Sequence, residues 1–422
     1  MSEPILSADK AGTAAPLIGN LFRHAVLARL RQLRHGWLQV RRGESLLDFG
    51  DPLSPLRAMI DVHDDAVWSM VACNGSIGAG EAYIHGYWSS PDPAAVTRLF
   101  VANLAVLDAM EGGLALFARP ALRLLHWLNR NSRSGSQRNI RAHYDLGNDL
   151  FERLLDPTLM YSSAMFQSPT QSLEQAQLNK LDIICRKLDL QPQDHLLEIG
   201  TGWGSLALYA ASHYGCRVTT TTLSKEQYAC AEYRIRESGL QDRVTLLLED
   251  YRELRGRYDK LVSIEMIEAV GHRYLPEYFR RCASLLKDDG LMLLQAITIR
   301  DQRYEQARRS VDFIQRYIFP GGALPSITAL LQTATAHTAL NLIHLEDFAG
   351  DYARTLLHWR DNLRQSRAEL LELGYDESFQ RLWEFYLCYC QGGFEERAIG
   401  VAHLLWAGPA ARRTGLADQL EA

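Results

Sequence analysis

Residues 195–205 (HLLEIGTGWGS) constrain the fold of this 422-residue chain more than any other stretch. An apolar run ends at Glu198, glycines alternate at Gly200, Gly202 and Gly204, and a helical pattern opens at Ser205. This order predicts a strand feeding a tight turn that starts a helix against a ligand. The glycines let backbone approach a bound group without a Cβ in the way. The helix start offers free N–H groups and a partial positive charge. The spacing is G-x-G-x-G, not the G-x-G-x-x-G of dinucleotide sites. Glu198 suits a ligand that carries an ammonium group. Taken alone, the same turn is equally an ordinary strand–helix connection.

Beyond this turn the chain alternates regularly. Strands are expected at 195–200, 217–223, 244–250, 260–266 and 290–298, with two more at 342–347 and 398–406. Helices are expected at 171–188, 204–213, 224–238, 274–286, 350–372 and 376–391. Alternation of this kind predicts an α/β fold with a doubly wound sheet, whose ligands sit beyond the carboxyl ends of the strands. Strand by strand, those ends carry suitable groups. After the second come Thr219–Thr222, then Ser224 as a helix cap and Gln227; the threonine hydroxyls and Gln227 stand where an acid often holds a ribose. After the third come Asp250, either a turn former or an acceptor for an adenine amino group, and Tyr251, a ring to stack on it. After the fourth comes Glu265-Met266-Ile267-Glu268. Residues 300–325 fall where an insertion over the site would lie.

The turn at Gly200–Gly204, with Glu198 before it, resembles motif I of S-adenosylmethionine-dependent methyltransferases. A longer match is carried by His143-Tyr144-Asp145-Leu146-Gly147-Asn148-Asp149-Leu150-Phe151, by Leu155-Asp156-Pro157 with Tyr161-Ser162-Ser163-Ala164, by Trp203 within the glycine turn, by Glu249–Arg252, by Phe313–Pro320 and by Phe348–Tyr352. These motifs resemble the cyclopropane-fatty-acyl-phospholipid synthases and their mycolic-acid relatives over roughly 21–408. The resemblance implies a class I methyltransferase, Rossmann-like domain and a smaller N-terminal α+β domain that contacts lipid. It implies S-adenosylmethionine as cofactor, with Tyr144 contacting it, and an unsaturated phospholipid as substrate. It implies methyl transfer to a cis double bond and closure to a cyclopropane. It also implies peripheral association with the inner membrane face, and a tendency to dimerise.

The family holds a bicarbonate ion as base. Its ligands map onto Glu268, the backbone amide of Ile297, Tyr352, Ser163 in place of a Cys and Gln295 in place of a His. Ser163 and Gln295 can both donate to an anion, but Gln295 cannot titrate as an imidazole does. Glu268 is expected to handle the proton step, its bland alternative being a helix cap. C-methylation without ring closure is the alternative within the class. A non-catalytic lipid-binding protein with a relic cofactor site is the alternative outside it.

Composition bounds the rest. Apolar content of 47% supports a substantial core, and a net charge of −5 argues against a dedicated nucleic-acid binder. The charge is uneven: Arg23, Arg29, Arg31, Arg34, Arg41 and Arg42 precede Glu44. They form either a solvated face or a surface drawn to anionic lipid. The seven cysteines have no metal-ligand spacing and read as buried hydrophobes of a reducing cytoplasm. No signal peptide or membrane span is expected. Residues 1–20 are expected to be disordered, 21–128 to form the accessory domain, 129–136 a linker, 137–408 the catalytic domain and 409–422 a tail. Residues 75–88 are expected as a packed turn region. The apolar face at 114–127 fits either a core or a lipid contact.

Overall fold

The computed structural model describes residues 14–112 and 147–412. These form two compact units: the N-terminal residues together with 375–392, and the rest of the described chain. Tyr144, the stretch at 129–136, the apolar face at 114–127 and residues 413–422 lie outside the described residues.

In the first unit, β1 (Trp37–Arg42), β2 (Ser45–Gly50), β3 (Arg57–Val62) and β4 (Trp88–Ser89) form a sheet in the order β2-β1-β3-β4. Three expectations change here. Residues 14–20 are not disordered: they begin a helix, Ala14–Leu30, whose later turns bury Val26, Leu27 and Leu30. Residues 75–88 are not a turn region. Most of them belong to a helix, Ala66–Ile84, broken at Gly75, where φ is 57°. Gly78 there serves close approach: a Cβ on it would lie 2.0 Å from the Met70 carbonyl oxygen. Finally, the helix expected at 376–391 runs from Glu377 to Glu395, and its residues through 392 belong to this unit. Polar contacts explain why. Tyr83 Oη donates to Glu384 at 2.9 Å, Arg381 donates to the carbonyls of Tyr83 and Trp88, and Thr97 Oγ1 donates to the Cys388 carbonyl at 2.7 Å.

The second unit is built on β5 (His195–Ile199), β6 (Arg217–Thr221), β7 (Val244–Leu247), β8 (Tyr258–Ile264), β9 (Leu286–Ile299), β10 (Asn341–Asp347) and β11 (Ile399–Ala407). Their order is β10-β11-β9-β8-β5-β6-β7. The five strands β5 to β9 run parallel, while β11 pairs antiparallel with β9 and β10. All seven strands match the expected positions. Helices cover both faces, so the inner strands are apolar almost throughout, as a buried parallel sheet requires. Leu197, Leu261 and Leu294 point into one core, Leu196, Val262 and Leu293 into the other. The chain leaves β5 for β6 on one side and later returns to β8 on the other. This reversal opens a crevice at the carboxyl end of β5.

Among the described residues no single helix is long and apolar enough to cross a membrane. Only the pair Pro93–Ala102 and Leu104–Met110, bent by 94°, meets the length and composition together.

Candidate active site

The crevice lies where the topology places it. Gly200, Gly202 and Gly204 all have positive φ, at 102°, 54° and 91°. That conformation suits glycine and strains other residues. At Gly202 an added Cβ would meet no protein atom within 4 Å, so it would stand in open cleft. At Gly204 it would press to 3.3 Å on Ala231 Cβ, so this glycine serves helix packing. Glu198, Trp203, Thr222, Gln227 and Tyr251 line the same cleft as Gly200 and Gly202. Thr222 Oγ1 donates to Gln227 Oε1 at 2.9 Å, and Ser224 Oγ accepts from Gln227 N to cap the next helix. Trp203 Nε1 donates to Asn148 Oδ1 at 2.8 Å, and its ring packs on Phe151. Glu198 is buried and accepts from Thr220 Oγ1 at 2.6 Å; burial pushes its carboxyl up to about 8. A cation bound beside it would restore the charge. The cleft therefore fits a ligand with an ammonium end and an aromatic base.

Asp250 is placed otherwise than expected. It does not line the cleft, and both its oxygens are taken by Arg252, at 2.8 and 2.6 Å. Of the threonine run, Thr219 and Thr220 turn to His195 and Glu198 rather than to the cleft.

The expected anion site contains a carboxylate of the chain itself. Glu265 Oε1 accepts from Ser163 N at 2.9 Å and from Gln295 Nε2 at 2.7 Å. Glu265 Oε2 accepts from Tyr352 Oη at 2.7 Å. Three of the five groups expected to hold bicarbonate thus converge on one side chain. A fourth, Ile297 N, donates to Glu268 Oε1 at 2.5 Å. Ser163 contributes its amide and not its hydroxyl, which donates to the Ala164 carbonyl. Bicarbonate does not fit a site whose donors already serve Glu265. The backbone agrees that the position is special: Glu265 has φ 47°, a conformation a non-glycine residue seldom holds without a reason.

Glu265 and Glu268 form a buried pair with unequal surroundings. Burial raises both. Glu265 is pulled back by Tyr352, by the charge of Lys180, and by the Ser163 and Gln295 donors. Glu268 is pushed up to about 8 by burial and by Glu265, and its Oε2 has no hydrogen-bond partner among the described residues. Two adjacent buried carboxyls do not both ionise readily. Of the two, Glu265 has the surroundings that favour the charge, with three donors on its carboxylate, and Glu268 those that favour the proton. Lys180 stands below, donating to Ser162 Oγ at 2.6 Å, and burial lowers its ammonium to about 7. The 300–325 segment touches the site where Ala323 N donates to the Glu268 carbonyl.

A test of this charge distribution comes from Glu268→Gln. Between about pH 4.5 and 8 the native state keeps the Glu268 proton that the unfolded chain loses, so native Glu268 binds more protons and stability falls as pH rises. Glutamine removes that penalty. The variant should melt higher than the parent at pH 8, with the gap closing towards pH 5. A gap that widens towards pH 5 would show Glu268 ionised in the native state.

The sequence pattern of the family described as Mycolic acid cyclopropane synthetase matches residues 131–404. The chain belongs to this family. It is 38% identical to the tuberculostearic acid methyltransferase UfaA1 of Mycobacterium tuberculosis, over 83% of each chain. It is 37% identical to the cyclopropane-fatty-acyl-phospholipid synthase of Escherichia coli K12, over 81% of this chain and 86% of that one. Among solved structures, the cyclopropane synthase MmaA2 from Mycobacterium tuberculosis superposes with a TM-score of 0.60 at 32% identity, covering 64% of this chain and 98% of that one. The mycolic acid cyclopropane synthase CmaA1 complexed with SAH and CTAB gives the same TM-score and coverage at 31% identity. This member of the cyclopropane synthase family is an S-adenosylmethionine-dependent methyltransferase, built on the class I α/β fold.

Proposed function

We propose that this synthase-family methyltransferase acts on the cis double bond of unsaturated phospholipid acyl chains and passes the released proton to Glu265. The reading rests above all on the three donors that converge on the Glu265 carboxylate inside a family whose chemistry needs an anion there. When bound, S-adenosylmethionine supplies an electrophilic methyl group, to which the double bond adds, leaving a cation on the acyl chain. Gly200, Gly202, Trp203, Gln227 and Tyr251 would hold the cofactor, with Glu198 facing its ammonium. Tyr352, Ser163 N and Gln295 hold Glu265 ionised and oriented before the cation forms, so little reorganisation is needed then. One C–H bond breaks, either on a carbon beside the cation or on the new methyl; its electron pair forms the new double bond or the ring-closing C–C bond, and the proton goes to a Glu265 oxygen. Glu268, already protonated, adds no competing base.

Which C–H bond breaks decides the product. Loss from the new methyl with bonding across gives a cyclopropane, and loss with formation of a new double bond gives a branched chain. The bicarbonate arrangement expected for ring closure is replaced by Glu265, and a relative of similar identity is named a methyltransferase rather than a cyclopropane synthase. We take methyl branching as the product and ring closure as the alternative. Vesicles of oleoyl phosphatidylglycerol, incubated with the protein and S-adenosylmethionine, decide it. Each modified chain should gain one CH₂ and keep olefinic protons. High-field ring protons with loss of the olefinic signal would establish cyclopropanation. No gain of mass at all would overturn the enzyme reading.

The substrate also places the work at a membrane surface. Arg29, Arg31 and Arg34 are exposed, whereas Arg41 and Arg42 are paired with Asp61 and Asp65. Three exposed arginines would contribute about 1 kcal/mol each towards an anionic surface, screened over ~8 Å at physiological salt. Cosedimentation with anionic vesicles should fall as salt rises, and Arg29→Gln/Arg31→Gln/Arg34→Gln should flatten the dependence. Equal binding to neutral and anionic vesicles at low salt would remove the arginines from the account.

A further inference from the structure

Behind Glu265 a file of polar side chains crosses the sheet from edge to site. The register sets it up: Glu346 on β10 pairs with His403 on β11, and His403 pairs with Gln295 on β9. Gln295 in turn accepts, through its carbonyl, the backbone N–H of Glu265 at 2.8 Å. The side chains follow the same line. Lys187, from the helix Leu173–Lys187, bridges the half-exposed Glu346 carboxylate and His403 Nδ1, the latter at 2.9 Å. His403 Nε2 meets Gln295 Oε1 at 2.9 Å, and Gln295 Nε2 meets Glu265 Oε1 at 2.7 Å. Lys187, His403 and Gln295 are all fully buried.

Donor and acceptor roles along this file have one solution. An ammonium only donates, so Lys187 makes His403 Nδ1 an acceptor. A neutral ring then carries its hydrogen on Nε2, which donates to Gln295 Oε1. That leaves the Gln295 nitrogen end for Glu265. Without His403 the amide oxygen loses its donor, and the orientation of Gln295 rests on Glu265 and on a 3.4 Å contact of its nitrogen with the Ser163 carbonyl alone. We infer that His403, held in its Nε2–H form by Lys187, is a positioning residue that keeps the Gln295 donor aimed at Glu265. This rests on Glu265 being the proton acceptor. The ring stays neutral because it is buried and faces Lys187, Lys180 and His344, all of which oppose a second positive charge. Around Glu265 the other charged or titratable groups are Glu268, Lys180 and Tyr352.

Lys187→Met tests the file without emptying the core, since Glu346 can turn to water. The acidic limb of the kcat–pH profile should move up by about one unit, a tenfold loss of kcat on that limb, with KM for S-adenosylmethionine unchanged. The double variant Lys187→Met/Gln295→Met should be no slower than Gln295→Met alone, because Lys187 acts only through Gln295. Nitrogen NMR of the labelled wild-type protein should show His403 neutral with its hydrogen on Nε2, a reading that needs no variant and no turnover. An Nδ1–H ring, an unmoved pH profile or fully additive losses would overturn the positioning role. Absent turnover on every unsaturated phospholipid would instead overturn the proposed function, and the NMR result would still decide the state of His403.

Discussion

Glu265→Gln is expected to lower turnover by roughly 10²-fold or more, the usual scale for removing a general base, while leaving the affinity for S-adenosylmethionine nearly unchanged. The side chain keeps its size, and its oxygen can still accept from Ser163 N and Gln295 Nε2. The amide nitrogen then faces Tyr352 Oη, which can accept instead of donating. What disappears is the charge and the place for the proton. The wild-type enzyme should also run at full rate in carbonate-free buffer, because its anion is covalently part of the chain. Glu265→Gly sharpens the test. Glycine is at ease at φ 47°, and its substitution frees three donors around an empty space. Added bicarbonate or formate should then restore part of the lost turnover, and should do nothing for Glu265→Gln. Stimulation of the wild type by bicarbonate, or wild-type turnover in Glu265→Gln, would return the proton step to Glu268.

The sequence was legible where local pattern and chain topology decide. The seven strands of the second unit follow from apolar runs between turn residues, and the cleft follows from the glycines after β5. Glu265 was visible as a letter beside Glu268 but not as a site. Its donors come from residues 163, 295 and 352, each more than two dozen positions away, and its left-handed backbone leaves no mark in composition. A hint existed in His403, a lone imidazole inside the apolar run Val401–Trp406. Such a histidine is more often a satisfied core residue than a ligand, and here it is both satisfied and directed at the site. The failures in the first unit have another cause. Glycines at 75, 78, 80 and 86 suggested turns, yet only Gly75 and Gly86 have positive φ. Gly78 and Gly80 sit in a helix, and at Gly78 it is space, not backbone angle, that demands glycine. Asp250 failed because Arg252, two residues on, competes for its carboxylate.

Gly202→Val should abolish binding of S-adenosylmethionine in calorimetry while leaving a folded protein. The left-handed backbone at Gly202 would cost a substituted residue roughly 1–2 kcal/mol, somewhat more for a branched one. That strain takes a sizeable part, but not all, of the roughly 5–15 kcal/mol that hold a domain folded, and no protein atom lies within 4 Å of the new Cβ to add a collision. The damage falls instead on the ligand, because the same open space is the cleft that Gly202 lines. Gly204→Val provides the contrast. Its Cβ would start 3.3 Å from Ala231 Cβ, and a branched side chain would drive the helix Lys225–Glu237 away from the turn. That variant should lose thermal stability first and binding only in consequence. The two neighbouring glycines therefore separate a defect of binding from one of packing. A folded Gly202→Val protein that binds the cofactor with unchanged affinity would move the cofactor away from the turn after β5.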